Sequence, residues 1–148
     1  MLEYLKNNFA KHQDVKISEE SGEVVLRIEP ADLVALIRNL RDDTNCLFSI
    51  LVAVCGTDFP DREKRFEITY LLLSIKFNFR IKVKISVRDR EEVPTITGLF
   101  DAAGWYEREI FDMYGVKFSG NKDMRRILTD YGFLHHPLRK DFPLTGYE

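Results

Sequence analysis

The amino-acid sequence predicts an α+β fold, with a single mixed or antiparallel β-sheet flanked by helices and an irregular, extended C-terminal arm. Segments of helical periodicity and segments of strict alternation follow one another in the order α-β-β-α-β-β-β-α-α. A chain of 148 residues with 45% hydrophobic residues also suits one globular domain. Finally, the residues at the C-terminal end are apolar but follow neither period. We therefore predict a core domain over residues 1–118 and an arm over residues 119–148.

The N-terminal part of the chain is predicted to hold two helices with two strands between them. Apolar residues at spacings of three and four predict the first helix over 2–12. Short apolar runs predict strands over 14–18 and 23–28, separated by a Ser-Gly turn. The second helix is predicted from Pro30 to Arg41, because proline suits the first turn of a helix and the apolar residues behind it share one face.

Three further strands are predicted over 46–55, 66–75 and 79–88. The third has the clearest alternation: isoleucine and valine point to one face, and the other face carries the cations Arg80, Lys82, Lys84 and Arg88. Such a row is typical of a solvated face, and it also suits docking against an acidic partner. Nucleic acid is not an expected partner, because the net charge is −2 and the isoelectric point is near 6.0.

The two cysteines, Cys46 and Cys55, exclude several kinds of chemistry. They are too few for an iron–sulfur cluster, which needs about four protein ligands. Because they lie nine positions apart on one predicted strand, they face opposite sides, and we expect small buried hydrophobic residues rather than a disulfide. The sequence also has no run approaching the ~20 apolar residues that cross a bilayer, so no membrane span is expected.

Helical periodicity returns in two stretches near the end of the core domain. Apolar spacing predicts one helix from Ile96 to Ala103, and a second from Trp105 to Tyr114 after a hinge at Gly104. Gly115 is predicted to end the second helix, because glycine readily adopts the left-handed conformation of a helix C-terminus.

The C-terminal arm combines large apolar side chains with several glycine and proline residues. An extended chain cannot bury such side chains against itself, so they lie on the surface of the domain or in a groove of a partner. The partner is favoured, because aromatic and arginine anchors alternate with turns. The apolar residues are Met124, Ile127, Leu128, Tyr131, Phe133, Leu134, Leu138, Phe142, Leu144 and Tyr147.

The densest group of charges is predicted to lie on the last helix. Arg108 and Asp112 are four residues apart and can form an ion pair there. Glu109 is predicted to share a face with aromatic residues and to need a cation from the arm or from another chain. The arm supplies the candidates Arg125, Arg126, Arg139 and Lys140.

An enzymatic alternative makes Glu109 and Asp112 an acid–base pair, with His135 or His136 as a proton shuttle. A soluble hydrolase of this kind needs a nucleophile or a metal nearby. The sequence has no His-Glu-x-x-His, Gly-x-Ser-x-Gly or phosphate-binding glycine motif. We therefore expect no catalytic, cofactor-binding or metal-binding residue in this chain.

Three motifs resemble a known family. They are Trp105-Tyr106-Glu107-Arg108-Glu109-Ile110-Phe111-Asp112-Met113-Tyr114-Gly115-Val116, Arg125-Arg126-Ile127-Leu128-Thr129-Asp130-Tyr131-Gly132-Phe133 and His136-Pro137-Leu138-Arg139-Lys140-Asp141-Phe142-Pro143-Leu144-Thr145-Gly146. Together they closely resemble the 30-kilodalton subunit of respiratory complex I, over about residues 46–147. The equivalent subunit of a related membrane-bound hydrogenase, or of another quinone oxidoreductase, shares these motifs and remains an alternative.

The resemblance implies a structural and assembly subunit of the hydrophilic arm of a proton-pumping NADH:quinone oxidoreductase. FMN and the iron–sulfur clusters would belong to other subunits. The implied partners are the 49-kilodalton subunit and the neighbouring iron–sulfur subunit. The implied location is peripheral, on the cytoplasmic face of a bacterial inner membrane or the matrix side in mitochondria. The residues expected at subunit interfaces are Glu107, Arg108, Glu109, Asp112, Arg125, Arg126, Asp130, Tyr131, His136, Arg139, Lys140, Asp141 and Phe142.

Overall fold

A five-stranded mixed β-sheet lies at the centre of the computed structural model, which describes residues 1–10 and 14–147. The elements follow in the order α1 (Leu2–Asn8), β1 (Lys16–Glu20), β2 (Glu23–Arg27), a 3₁₀ turn (Pro30–Asp32), α2 (Leu33–Asp42), β3 (Ile50–Asp58), β4 (Phe66–Ser74), β5 (Phe79–Val87), β6 (Val93–Pro94), α3 (Ala103–Tyr114) and β7 (Phe118–Ser119). The predicted fold class is confirmed.

The strands of the main sheet lie in the order β1-β2-β5-β4-β3. All neighbours are antiparallel except β2 and β5, which pair in parallel. The predicted alternation on β5 is confirmed, because its isoleucine and valine residues are almost fully buried. They pack with the apolar residues of α1, α2 and α3, so these helices contribute to one common core.

Several predicted boundaries are wrong. The first helix ends at Asn8, and the part of its predicted range at residues 11–12 lies outside the described residues. The predicted strand over 46–55 begins only at Ile50. The backbone N–H groups of Cys46 and Phe48 turn back to carbonyls of Asp43 and Leu40, so this segment closes the end of α2 instead.

The helix predicted from Ile96 to Ala103 is absent. Consecutive turns replace it, with Leu99 and Phe100 both donating to the carbonyl of Ile96. Turns keep the same apolar side chains on the buried side, and this explains why the spacing resembled that of a helix. Both cysteines were predicted to be buried. The prediction is confirmed for Cys46 and is wrong for Cys55, which is exposed.

No helix among the described residues is long and apolar enough to span a membrane. The short parallel pair β6–β7, in which Val93 lies opposite Phe118, was not predicted. This pair ties the segment before α3 to the segment after it. The C-terminal arm then starts at residue 119 beside the end of the core, although the division between core domain and arm remains a prediction.

Candidate functional site

The C-terminal arm contains no helix within the described residues and is attached to the core by carboxylates. Asp112, in the last turn of α3, is the first of these, and its side chain is fully buried. Its carboxylate accepts hydrogen bonds from the backbone N–H groups of Ile127, Leu128 and Thr129, at 3.1, 2.7 and 2.9 Å. Three successive N–H groups that converge on one anion form a compact anion-binding turn.

Side chains of the arm complete the environment of Asp112. The hydroxyl of Thr129 donates at 2.6 Å, and the guanidinium of Arg126 donates at 3.0 Å. Burial alone would raise the pKa of the Asp112 carboxyl, but the hydrogen bonds from Thr129, Leu128 and Arg126 outweigh that effect and hold the pKa well below its usual range. Asp112 therefore stays ionised and binds the arm as an anion.

A second buried carboxylate, Asp58, lies at the end of β3. Arg65 donates to its two oxygens at 2.6 and 2.7 Å, and the backbone N–H of Lys140 donates to Oδ2 at 2.7 Å. Burial raises the pKa of the Asp58 carboxyl, whereas the hydrogen bonds from Arg65 and Lys140 lower it by more, so the net pKa is below its ordinary value. Asp58 thus attaches the arm some ten residues after the Asp112 contact.

Arg139, a residue of the arm, forms a third attachment, in which the arm supplies the cation and the core supplies a carboxylate. Its guanidinium donates to both oxygens of Asp89, at 3.1 and 2.9 Å, and to Asp141 at 3.0 and 3.2 Å. Asp141 also accepts from Arg65 at 3.3 Å. Hydrogen bonds from Arg139 lower the pKa of Asp141 to about 2. The network joins the loop after β5, the end of β3 and the arm.

Glu107 is a buried carboxylate of a different kind. It accepts hydrogen bonds from the backbone N–H of Ile96 at 2.9 Å, the hydroxyl of Thr95 at 2.7 Å and the amide of Asn121 at 2.8 Å. It forms no ion pair within residues 1–10 and 14–147. Burial raises the pKa of the Glu107 carboxyl above its ordinary value, and the three hydrogen bonds offset only part of the rise.

The junction between α3 and the arm depends on Gly115 and His136. Gly115 has φ of +80°, as predicted for a helix C-terminus, and a Cβ atom there would lie 2.8 Å from the His136 ring. The Nδ1 atom of His136 lies 3.0 Å from the carbonyl oxygen of Asp112, to which it can donate. Burial lowers the pKa of His136, which favours the neutral ring.

Six of the ten large apolar side chains of the arm are exposed to solvent. Tyr131 and Leu144 are fully exposed, and Leu134 is 81% exposed. We call the exposed set the arm surface; it comprises Trp105 of α3 and Leu128, Tyr131, Leu134, Leu138, Leu144 and Tyr147 of the arm. The core thus binds several polar groups of the arm, while Met124, Ile127, Phe133 and Phe142 are half-buried and the residues of the arm surface are exposed.

The structure brings most of the predicted interface residues together, but it corrects two interpretations. Glu109 is exposed, and the buried carboxylates of α3 are Glu107 and Asp112. The predicted ion pair of Arg108 with Asp112 is absent, because Arg108 donates to the backbone carbonyls of Arg125 and Arg126 at 3.0 and 3.1 Å. Asp112 pairs with Arg126 instead, across the turn of the arm.

The remaining predicted interface residues are distributed between the network and the surface. Arg126, Arg139 and Asp141 belong to the attachment network, and Arg125 pairs with Asp123 at 2.7 Å. The side chains of Asp130, Tyr131 and Lys140 are exposed, and Phe142 packs edge-on against Tyr147. Sequence reasoning missed Asp58, Asp89 and Thr129. The apolar composition of the arm indicated that it lies against the domain or a partner, but no sequence pattern identified these three residues.

The arrangement is poorly suited to acid–base catalysis. Both oxygens of Asp112 are occupied by donors, and Glu109 points to solvent on the exposed side of the helix. Within the described residues, no three His, Cys, Asp or Glu side chains are grouped so that they could hold a metal ion. Asp112 and Asp58 instead bind the arm to the core.

Comparison with protein families gives one match that covers most of the chain. The family described as "Respiratory-chain NADH dehydrogenase, 30 Kd subunit" matches residues 26–148. A relative from Paramagnetospirillum magneticum, named as a subunit of NADH-quinone oxidoreductase, is 55% identical over 137 residues, which cover 91% of this chain and 69% of the relative. A relative from Reclinomonas americana, named as subunit 9 of NADH-ubiquinone oxidoreductase, is 52% identical and is matched over 94% of this chain and 68% of its own length. Eight such relatives are longer than this chain, which spans 58–69% of their lengths.

Two solved structures share the fold, each at 24% sequence identity. The trypsin-resistant fragment (1–134) of Nqo5 gives a TM-score of 0.72 and covers 83% of this chain and 99% of that one. A chain of an archaeal respiratory membrane complex, the membrane-bound sulfane sulfur reductase, gives a TM-score of 0.80 and covers 96% of this chain and 85% of that one. Because the second match spans nearly the whole chain, the shared fold extends into the C-terminal arm.

Proposed function

The chain belongs to the family of the respiratory-chain NADH dehydrogenase 30-kilodalton subunit, and from this premise we propose that it is a structural subunit of the hydrophilic arm of an NADH:quinone oxidoreductase. The family predicted from the three sequence motifs is confirmed. The alternative of a hydrogenase subunit is not favoured, because relatives at 51–55% identity are named as subunits of NADH-quinone or NADH-ubiquinone oxidoreductases.

The proposed role is to hold neighbouring subunits together without carrying a redox cofactor. FMN and the iron–sulfur clusters would lie in other chains. The proposed partners of the arm surface are the 49-kilodalton subunit and the adjoining iron–sulfur subunit. The proposed location is peripheral, on the cytoplasmic face of a bacterial inner membrane or the matrix side in mitochondria.

One observation carries the proposal: the core binds polar groups of the arm and leaves six of its ten large apolar side chains exposed. Asp112 and Asp58 fix the arm at residues 127–129 and 140, and between these attachments Tyr131, Leu134 and Leu138 are exposed. Leu134 is 81% exposed, and Leu144, which follows the second attachment, is fully exposed. Apolar groups held in a fixed arrangement favour a groove on another protein, since burial there stabilises a complex by about 25 cal/mol per Å² before the costs of association.

The test introduces a charge on the arm surface and follows assembly. In a cell that assembles the complete oxidoreductase, the variant Leu134→Asp/Leu144→Asp is compared with Asn78→Asp, which places a carboxylate in the exposed turn between β4 and β5. We expect the isolated arm variant to melt like the parent. It should fail to co-purify with the 49-kilodalton and iron–sulfur subunits, whereas the control assembles.

Normal assembly of the Leu134→Asp/Leu144→Asp variant would overturn the proposed docking role. A chain that ends at Thr129 gives a second measurement. If complexes containing the shortened chain form at the level of the parent, the arm is not what holds the neighbouring subunits. Loss of subunits other than the two proposed partners would retain the docking role but contradict the choice of partners.

A further inference from the structure

The second face of the main sheet, opposite the helices, contains apolar residues that the core does not include. The core takes alternate residues of each strand, such as Leu72 of β4 and Val83 of β5. The residues between them face the other way: Ile50 lies opposite Leu73 and Ala53 lies opposite Leu71, all four only partly buried. None of the four belongs to the core or packs against it within the described residues.

We call Ile50, Ala53, Leu71 and Leu73 the aliphatic strip. Cations of the neighbouring strand β5 lie directly opposite its two leucines. Leu73 lies opposite Arg80, and Leu71 lies opposite Lys82, on the antiparallel pair β4–β5. On the other side of β5, Val25 lies opposite Lys82, but it is buried and offers no surface to a partner. We use the term open face for the whole surface; it comprises Arg27, Ile50, Ala53, Glu67, Leu71, Leu73, Arg80, Lys82 and Lys84.

The charges on the open face do not balance. Glu67, 6% exposed, is shared by Arg27 at 3.1 Å, Lys84 at 3.3 Å and Arg62 at 3.5 Å. Lys82 pairs with Glu23, and Arg80 forms no ion pair within the described chain. Arg27 also pairs with Glu20 at 3.2 Å. On and around this face, the cations Arg27, Arg62, Arg80, Lys82 and Lys84 therefore outnumber the carboxylates Glu20, Glu23 and Glu67.

We propose that the open face docks an acidic amphipathic helix of another subunit. Its aliphatic side chains would cover Leu71 and Leu73, and carboxylates along one flank would reach Lys82, Lys84 and Arg80. A helix suits this surface, because the aliphatic residues and the cations lie in adjacent rows, and an amphipathic helix can present aliphatic side chains and carboxylates side by side. Charge complementarity selects the acidic flank and disfavours wrong partners. The inference goes beyond the arm surface and depends on the proposed function only for the origin of the helix.

The experiment uses the purified, assembled complex and a zero-length carbodiimide cross-linker, which joins an amine to a carboxylate in direct contact. We expect cross-links from Lys82 or Lys84 to Asp or Glu residues of another chain, identified by mass spectrometry. Acetylation of these two lysines should be at least about tenfold slower in the complex than in the isolated chain. Equal labelling rates, or cross-links only to Glu23 and Glu67 of the same chain, would overturn the proposal.

Variants separate this surface from the arm surface. Lys82→Met/Lys84→Met keeps the aliphatic stems and removes both charges, and Lys6→Met on α1 is the matched control. We expect the double variant to lose one acidic subunit from the complex while subunits held by the arm remain. If the arm variants leave assembly intact but the lysine cross-links persist, the proposed docking arm fails and the open face stands. Cross-links to a second copy of this chain would contradict the acidic helix.

Discussion

The buried carboxylate of Asp112 accepts hydrogen bonds from both the hydroxyl and the backbone N–H of Thr129, at 2.6 and 2.9 Å. A residue of the last helix thereby fixes the path of a segment that has no regular structure of its own. Since the attachment is polar, it consumes none of the arm's large apolar side chains. The arm is therefore ordered before any partner arrives, and a pre-ordered surface loses less conformational entropy on binding.

Replacing Asp112 by asparagine should release the arm while the sheet stays folded. Asparagine keeps the shape but loses the charge, and its NH2 group must face either the N–H groups of residues 127–129 or the guanidinium of Arg126, which are all donors. Breaking a buried charged contact of this kind costs about 3 kcal/mol, equivalent to roughly a hundredfold increase in local opening. Hydrogen–deuterium exchange of the isolated chain measures this directly at Ile127, Leu128 and Thr129.

The control for Asp112→Asn is Asp130→Asn, an equal change at an exposed carboxylate of the same arm. We expect exchange at residues 127–129 to match that of the parent. Equal exchange in both variants would show that the arm does not depend on the Asp112 carboxylate.

Acid should loosen the arm before it unfolds the core. Asp58, Asp112 and Asp141 have pKa values below those of an unfolded chain, and that of Asp141 falls to about 2. The unfolded state therefore binds more protons, so their stabilisation is complete above about pH 5 and is lost as the pH falls through the folded values. Exchange at residues 127–129 and 140, corrected for the intrinsic rate, should be less protected at pH 3 than at pH 6. Unchanged protection would contradict the network.

Glu107 should show the opposite dependence on pH. Its pKa is raised by burial, so the folded state binds the additional proton, and stability decreases as the pH rises through the folded value. Glu107→Gln removes the buried charge, while its carbonyl can still accept from the N–H of Ile96. Relative to the parent, the variant should therefore gain melting temperature between pH 4 and pH 8. If the difference in melting temperature between variant and parent stays constant across this range, burial of the Glu107 carboxylate does not destabilise its charged form.

Sequence reasoning succeeded where local pattern determines structure and failed where distant segments meet. The alternation of Ile81, Val83 and Ile85 identified the buried face of β5, and Gly115 correctly marked the end of α3. The helical phase of α3 was set wrongly by its aromatic residues, since Trp105 is 63% exposed. For that reason Glu109 was expected to be buried instead of Glu107.

The partner of Asp112 was equally beyond local reasoning. An ion pair at i, i+4 with Arg108 stabilises a helix by only a few tenths of a kcal/mol. Three backbone N–H groups and a guanidinium stabilise the Asp112 carboxylate far more strongly than Arg108 could. These donors belong to residues 126–129, so their position depends on the path of the arm. Periodicity contains no information about that path.

The contact of Gly56 with Tyr114 offers a last test, of the packing that holds α3 against β3. A Cβ atom at Gly56 would lie 2.8 and 2.9 Å from two atoms of the Tyr114 ring, whose hydroxyl donates to the Gly56 carbonyl at 3.0 Å. Gly56→Ala should therefore lower the free energy of unfolding by about 1–3 kcal/mol. Gly98→Ala is the control, because a Cβ atom at Gly98 would meet no other atom within 4 Å and the backbone there is unstrained. Equal denaturation midpoints for the two variants would show that α3 can shift relative to β3 at little cost. The close packing of Tyr114 on Gly56 would then not fix the helix that carries Asp112.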